Sequence, residues 1–273
     1  MALTINTNVA SLNAQRNLNT SQGTLKTSMQ RLSSGLRVNS AKDDAAGLGI
    51  AEKMTAQSRG MTVAERNAND GISLAQTAEG GMAVMATHLQ RMRELATQAA
   101  SGQYDGTNLS SLNQEFQALQ NEVARIAVAT TFNGKQVLGN DSTMSFQIGA
   151  GITTENQISI TTVTGNFSAL VSGLAVSTAD GATGAMEAID TALNTVSDAR
   201  AGLGALQSRF EGVVTQLQSQ NENIQSARDR ILDADYAAET ANLARSQILQ
   251  QAGTAMLAQA NQLGSNVLTL LQG

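Results

Sequence analysis

Proline is absent from all 273 residues, where average usage of about 5% predicts roughly a dozen. Proline removes a backbone donor and clashes with the preceding turn, so a chain without it suits long uninterrupted helices. Cysteine is absent as well, which excludes a disulfide framework, a thiol nucleophile and a thiolate metal site. With no tryptophan, two tyrosines and five phenylalanines, the usual large anchors of a core are scarce. A single histidine, His88, excludes any multi-histidine site, and a net charge of −5 provides no basic footprint for nucleic acid. Met1–Ala10 has no basic residue and no continuous apolar core, which argues against a cleaved secretory signal. Ser246–Gly273 has no charge at all. Gln247, Gln250, Gln251, Gln259, Asn261, Gln262 and Asn266 nevertheless interrupt it, so the run of about 18 apolar residues that a membrane helix needs is missing.

What is present is helical spacing. Five segments carry apolar residues at alternating steps of three and four, the signature of helices packed in a bundle or coiled coil. The first runs Leu18, Leu25, Met29, Leu32 and Leu36, preceded by Ile5, Val9 and Leu12. The second extends from Ala75 through Met82, Met85, Leu89 and Met92 to Ala99, and the third from Leu109 through Phe116 to Ile126. The fourth holds its phase from Ile189 to Ile231, about 65 Å as one straight helix. It does so despite Gly202, Gly204 and Gly212, small residues that predict close approach of a neighbouring helix. The fifth reads Leu249, Ala252, Met256, Ala260, Leu263, Val267 and Leu270. The cluster SGQYDGTN at 101–108 breaks the second seam from the third and predicts a helical hairpin.

Two regions depart from this pattern. Between Lys135 and Arg200 there is no basic residue, and Gly, Ser and Thr dominate. Alternation in Ser145–Ile148 and Ile158–Thr161 predicts two strands of a hairpin there, an excursion too short to be a domain. The chain ends are the second departure. Met1–Thr24 holds one charge, Arg16, and Ser246–Gly273 none, yet both carry seams backed by Asn, Gln, Ser and Thr. A solvated amphipathic helix shows charge on its outer face. Uncharged amide faces fit either disordered tails or segments that order on assembly, and the seams favour the second.

Catalytic readings are weaker than structural ones throughout. His88 has no nucleophile partner and reads as a helix-surface residue. Asp43–Asp44 and Asp233/Asp235 lie in Gly/Ala-rich junctions with Lys42 or Arg230 nearby, and read as turn and helix-start carboxylates. Neither pair matches a calcium loop, and Gly47–Gly49 and Gly202–Gly204 lack the third glycine of a nucleotide loop. No metal or cofactor is expected, and no enzymatic activity. One surface feature remains: His88, Arg91, Leu95 and Gln98 form a stripe beside the Met82–Ala99 seam, with Leu95 expected to be exposed.

Several motifs resemble bacterial flagellin. The run Ser33–Gly47 (SSGLRVNSAKDDAAG) is similar to that family's N-terminal signature, as are Leu89–Ala96 (LQRMRELA) and Phe132-Asn133-Gly134 followed by Val137-Leu138. At the other end, Ile231–Ala237 (ILDADYA), Gln251-Ala252-Gly253 and Ala258–Gln262 (AQANQ) complete the resemblance. It covers about residues 1–140 and 185–273.

The resemblance implies a mainly α, long-helix coiled-coil or bundle fold with a small β-hairpin, its terminal helices pairing in a filament core. It implies an inner-tube domain over 1–43 and 236–273, an outer-tube domain over 44–139 and 184–235, and a short excursion over 140–183 where relatives often insert outer domains. Leu18, Leu25, Met29, Leu32, Leu249, Met256, Leu263, Val267 and Leu270 are then the core-packing residues of the filament. The implied function is a self-polymerising subunit of the extracellular flagellar filament, exported unfolded through the flagellar type III route. The implied partners are other copies, an export chaperone, and hook-associated and cap proteins. The resemblance also implies a patch for the flagellin-sensing Toll-like receptor on Gln90, Arg91, Leu95, Gln98 and Glu115, and the shared helix face of Arg91, Leu95 and Gln98 outside the seam predicts that it doubles as a subunit contact. A hook–filament junction protein is the alternative, disfavoured by the motifs between Leu89 and Leu138. An enzymatic relative with a catalytic insert is disfavoured because the excursion has only Asp141, Glu155 and Asp180 as charges.

Overall fold

The five apolar seams fall on the five long helices of the computed structural model, which describes residues 8–138, 143–161 and 167–272. Side chains are described for all of these except 161, 167, 168 and 263–272. In chain order the elements are α1 (Val9–Ser34), α2 (Ala45–Ala99), α3 (Gly106–Ala129), β1 (Thr131–Phe132), β2 (Lys135–Gln136), β3 (Thr143–Gln147), β4 (Gln157–Thr161), α4 (Phe167–Val171), α5 (Ala179–Leu232) and α6 (Tyr236–Gln272). The chain divides into two compact units, 57–222 and a second made of residues up to 56 with those from 223 onward.

In the 57–222 unit, α2 and α5 run antiparallel. Their register is marked by Gln218 donating to Glu65 at 2.7 Å, Gln207 donating to Glu79 at 3.1 Å, and Arg93 pairing with Asp190 at 2.6 Å. Between them and α3 lies the core, whose largest members include Leu74, Met82, Met85, Leu89, Met92, Phe116 and Phe210. The turn between α2 and α3 falls where the glycine cluster predicted it. Asp105 caps α3 by accepting the Asn108 N–H at 2.9 Å, as an N-cap carboxylate should.

The excursion forms a hairpin, slightly longer than its alternation predicted, with β3 and β4 antiparallel and Phe146 opposite Ile158. It packs against the helices: Ile158 and Ile160 are buried, and the Phe146 ring meets Phe210 edge-on at 5.9 Å. A smaller hairpin, β1 with β2, turns through Asn133 and Gly134, both left-handed at φ +48° and +76°. That backbone is the two-residue type I′ turn for which Asn-Gly is the preferred pair.

Helix α5 continues through Gly202, Gly204 and Gly212, but the close neighbour expected there is missing. A Cβ at any of the three would meet nothing within 4 Å. The close approaches are instead at Gly71, where a Cβ would come within 2.7 Å of the Phe210 ring, and at Gly81, against Thr130 and Leu138.

In the other unit, α1 and α6 are antiparallel partners. Asn8 donates to the Ala260 carbonyl at 2.8 Å, Ser11 donates to Asn261 at 2.9 Å, and Arg31 lies 3.9 Å from Glu239 at the far end. Gly35 ends α1 in the left-handed conformation, its N–H bonded to the Arg31 carbonyl. The chain then crosses to the end of α5: Arg37 N–H donates to Leu232 O, and Ala234 N–H returns to Gly35 O.

Candidate functional site

Two surfaces carry the functional expectations, the first being the α1/α6 pair. Along α1 the residues withdrawn from solvent are Ser11, Ala14, Leu18, Ser21, Leu25, Ser28 and Leu32, an alternation of three and four, with Arg31 beside the last. On α6 they are Glu239, Leu243, Ser246, Gln250, Gly253, Leu257 and Ala260, with the same alternation, and Asn242 beside Leu243. Both follow the heptad of a coiled coil, yet nine of these fourteen positions are small or polar. Leucine meets small residue across the pair: Leu18 Cδ1 lies 3.2 Å from where a Gly253 Cβ would be.

This corrects the seam read for α6. Leu249 and Met256 belong not to the inner contact but to a stripe beside it, and are 50% and 63% exposed. The physical reason is close approach, since small residues let two helix backbones near one another and the bulkier stripe is left outside. Ile248, one position round the helix, is 65% exposed, and Val9, Leu12 and Met29 of α1 are also exposed. Leu18, Leu25 and Leu32 are half-buried in the pair. The side chains of Leu263, Val267 and Leu270 lie outside the described residues.

The second surface is the α2/α3 stripe. Arg91 Nε and Nη2 donate to one oxygen of Glu115 at 3.0 and 2.9 Å, while Nη1 donates to Glu94 at 2.9 Å. These carboxylates, Glu94 foremost, push the Arg91 pKa further up, so the guanidinium stays charged and tied within the chain. Gln98 donates to the Tyr104 hydroxyl at 2.9 Å, and Gln90 is exposed.

Leu95 departs from its expectation. It is 1% exposed, a member of the core, and not a surface anchor. Helix α2 packs against α3 on one side and α5 on the other, so its buried arc is wider than a single three–four stripe. The stripe is thus polar, and part of it holds α2 to α3.

Asp43, Asp44 and Asp235 behave as turn and cap carboxylates. Asp43 accepts from Asn39 N–H, Ser40 N–H and Ser40 Oγ, which holds its carboxyl below the usual range, the Ser40 hydroxyl foremost. Asp44 accepts from Gly47 N–H at the start of α2, and Asp235 accepts from Ala237 and Ala238 N–H at the start of α6. Sequence reasoning missed the Arg93–Asp190 pair, because nothing local matches a residue on α2 with one 97 positions away.

A mainly helical chain whose two end helices pair closely and leave large apolar side chains outward defines a class of structural proteins built for association. Residues 5–143 match the bacterial flagellin N-terminal helical region, and residues 186–271 match the C-terminal helical region. The chain belongs to the bacterial flagellin family, and is a structural subunit of the flagellar filament that self-polymerises outside the cell. It is 43% identical to a flagellin of Halalkalibacterium halodurans, covering 98% of this chain and 99% of that one. It is 41% identical to a flagellin of Bacillus subtilis over the same shares. A crystal structure of Bacillus cereus flagellin superposes with a TM-score of 0.50 at 27% identity, covering 60% of this chain and 94% of that one.

Proposed function

We propose that the outward apolar face of the α1/α6 pair is the surface through which copies of this chain polymerise. The observation that supports this is that Ile248, Leu249 and Met256 stay exposed while Ser28, Ser246, Gln250 and Gly253 share the inner seam with Leu18, Leu25, Leu32, Leu243 and Leu257. Covering Val9, Leu12, Met29, Ile248, Leu249 and Met256 is worth on the order of 10 kcal/mol at about 1.5–3 kcal/mol per fully buried side chain. Association costs about 4–15 kcal/mol per contact. One neighbour therefore comes close to break-even, and stable growth needs several, as at the end of a filament.

In this reading residues 1–43 and 236–273 form the inner tube, and 44–139 with 184–235 the outer tube. The short 140–183 segment leaves the outer tube as the filament surface. Export proceeds unfolded by the flagellar type III route, with an export chaperone, hook-associated and cap proteins as further partners. Family resemblance supports the receptor patch at Gln90, Arg91, Gln98 and Glu115, with Leu95 supporting it from the core.

The test is Met256→Asp. Its site is exposed in the monomer, so thermal unfolding should be unchanged. Burying an unpaired carboxylate at a dry contact costs several kcal/mol, so seeded growth should fail at concentrations where wild type polymerises. Normal growth at neutral pH would remove this face from the contact. Growth on filament ends, not only at the hook junction, separates a filament subunit from a junction protein.

A further inference from the structure

We propose that the Asn133–Gly134 turn is a site of spontaneous covalent self-modification, converting to aspartate and isoaspartate in the folded protein. In this chemistry the backbone nitrogen of the following residue attacks the asparagine side-chain carbonyl. Here the Gly134 N–Asn133 Cγ bond forms, the Cγ–Nδ2 bond breaks, and ammonia leaves carrying the Gly134 amide proton. Water then opens the five-membered imide. Opening at Cγ gives aspartate, and opening at the Asn133 main-chain carbonyl gives isoaspartate.

Three features of the turn favour that attack. Asn133-Gly134 is the only Asn-Gly pair in the chain, so no Cβ shields the nucleophile. Both residues are exposed, and a Cβ at Gly134 would meet nothing within 4 Å, so water and the departing amide have free passage. Most directly, Asn133 already sits at φ +48°. Types I′ and II′ share a positive φ at the first central residue and differ by a flip of the central peptide. The imide ring fits the II′ arrangement, and that flip rotates the Asn133 ψ together with the Gly134 φ, whose change of sign glycine alone makes without steric cost.

Other asparagines lack one of these conditions. Asn39 is exposed and precedes the small Ser40, but the Ser40 N–H is held by Asp43 Oδ2 at 2.9 Å. After Asn156, the Gln157 N–H is held by the Thr154 carbonyl. Asn8 precedes a β-branched valine, and the remaining described asparagines lie in helices. Conversion to isoaspartate adds a backbone carbon to a two-residue turn, between strands that lead directly into buried Val137 and Leu138. Either product adds one negative charge at the surface of the 57–222 unit.

The experiment is incubation of the folded full-length chain at neutral and mildly alkaline pH, followed by peptide mass mapping and an isoaspartate methyl-acceptor assay. The expected result is amide-to-acid conversion at the peptide holding Asn133, faster at the higher pH and above any other described asparagine. Asn133→Gln should lose the signal, because a six-membered ring closes far more slowly, while circular dichroism stays unchanged. Gly134→Ala should also lose it; should that strained variant unfold, Asn133→Gln carries the test. Conversion in urea but none in the folded chain would overturn the proposal, showing that the turn is locked against the flip. Faster conversion at Asn39 would overturn it equally.

Discussion

Gly71 and Phe210 occupy one space. A methyl group on Gly71 would lie 2.7 Å from a ring that is itself fully buried, with Phe146 edge-on at 5.9 Å behind it. Overpacking of this kind costs about 1–3 kcal/mol, while replacing glycine by alanine inside a helix returns up to about 1 kcal/mol. Gly71→Ala should therefore destabilise by about 1–2 kcal/mol net, read as a lower urea midpoint with an unchanged slope. Gly202→Ala, in open space, should instead stabilise.

The Arg93–Asp190 pair is exposed and should act through pH. The hydrogen bond from Arg93, and its charge, hold the Asp190 carboxyl below its ordinary 3.8. A depressed carboxylate contributes stability above the unfolded value, and loses it as pH falls through the lower folded value. The difference in urea midpoint between wild type and Arg93→Ala should thus be present at neutral pH and shrink below about pH 3.8. It should shrink in high salt as well, since an exposed pair is screened. A gap that survives both conditions would assign the effect to packing of the arginine stem.

At the scale of elements, helix existence was legible and helix facing was not. Phase and the absence of proline marked each of the five long helices, though the seam from Ala75 covered only the second half of α2, and the glycine cluster placed the turn before α3. What the pattern misjudged is which stripe faces inward. Hydrophobicity ranks Leu249 and Met256 above Gln250 and Gly253, but the antiparallel pair selects for small side chains that let two backbones close together. Leu95 failed for the complementary reason: α2 has two neighbours, and a single stripe does not describe its buried arc. Of the candidate patch, the polar members were legible as surface residues, whereas their in-chain partners, Glu115 for Arg91 and Tyr104 for Gln98, depend on tertiary placement. Gly253→Val tests the inner seam. Branched carbons placed against Leu18 should part α1 from α6, seen as loss of amide-exchange protection in 9–34 and 236–262 with the 57–222 core unchanged. Equal protection in the variant would mean that the pair has slack at that position.

Over the whole molecule, stability should be unevenly divided. The largest fully buried side chains all lie in the 57–222 unit, while among the described residues of the α1/α6 pair the buried hydrophobic is the small Ala260. Limited proteolysis of monomer should accordingly trim both ends first and leave a resistant fragment near 57–222. The same protease applied to filaments should spare the ends. Equal resistance in monomer and filament would contradict the proposed assembly face.

The serine- and glycine-bearing seam between α1 and α6 has a kinetic counterpart. Two free subunits that meet gain too little from one another's outer stripes to hold together, and neither has a strongly self-sufficient helix pair to offer as a rigid template. A solution of monomers should therefore remain clear well above the concentration at which a filament end grows, with a long lag that vanishes when fragments are added. A small-residue contact inside one chain thus sets where new material is laid down: at existing ends, and not in the bulk.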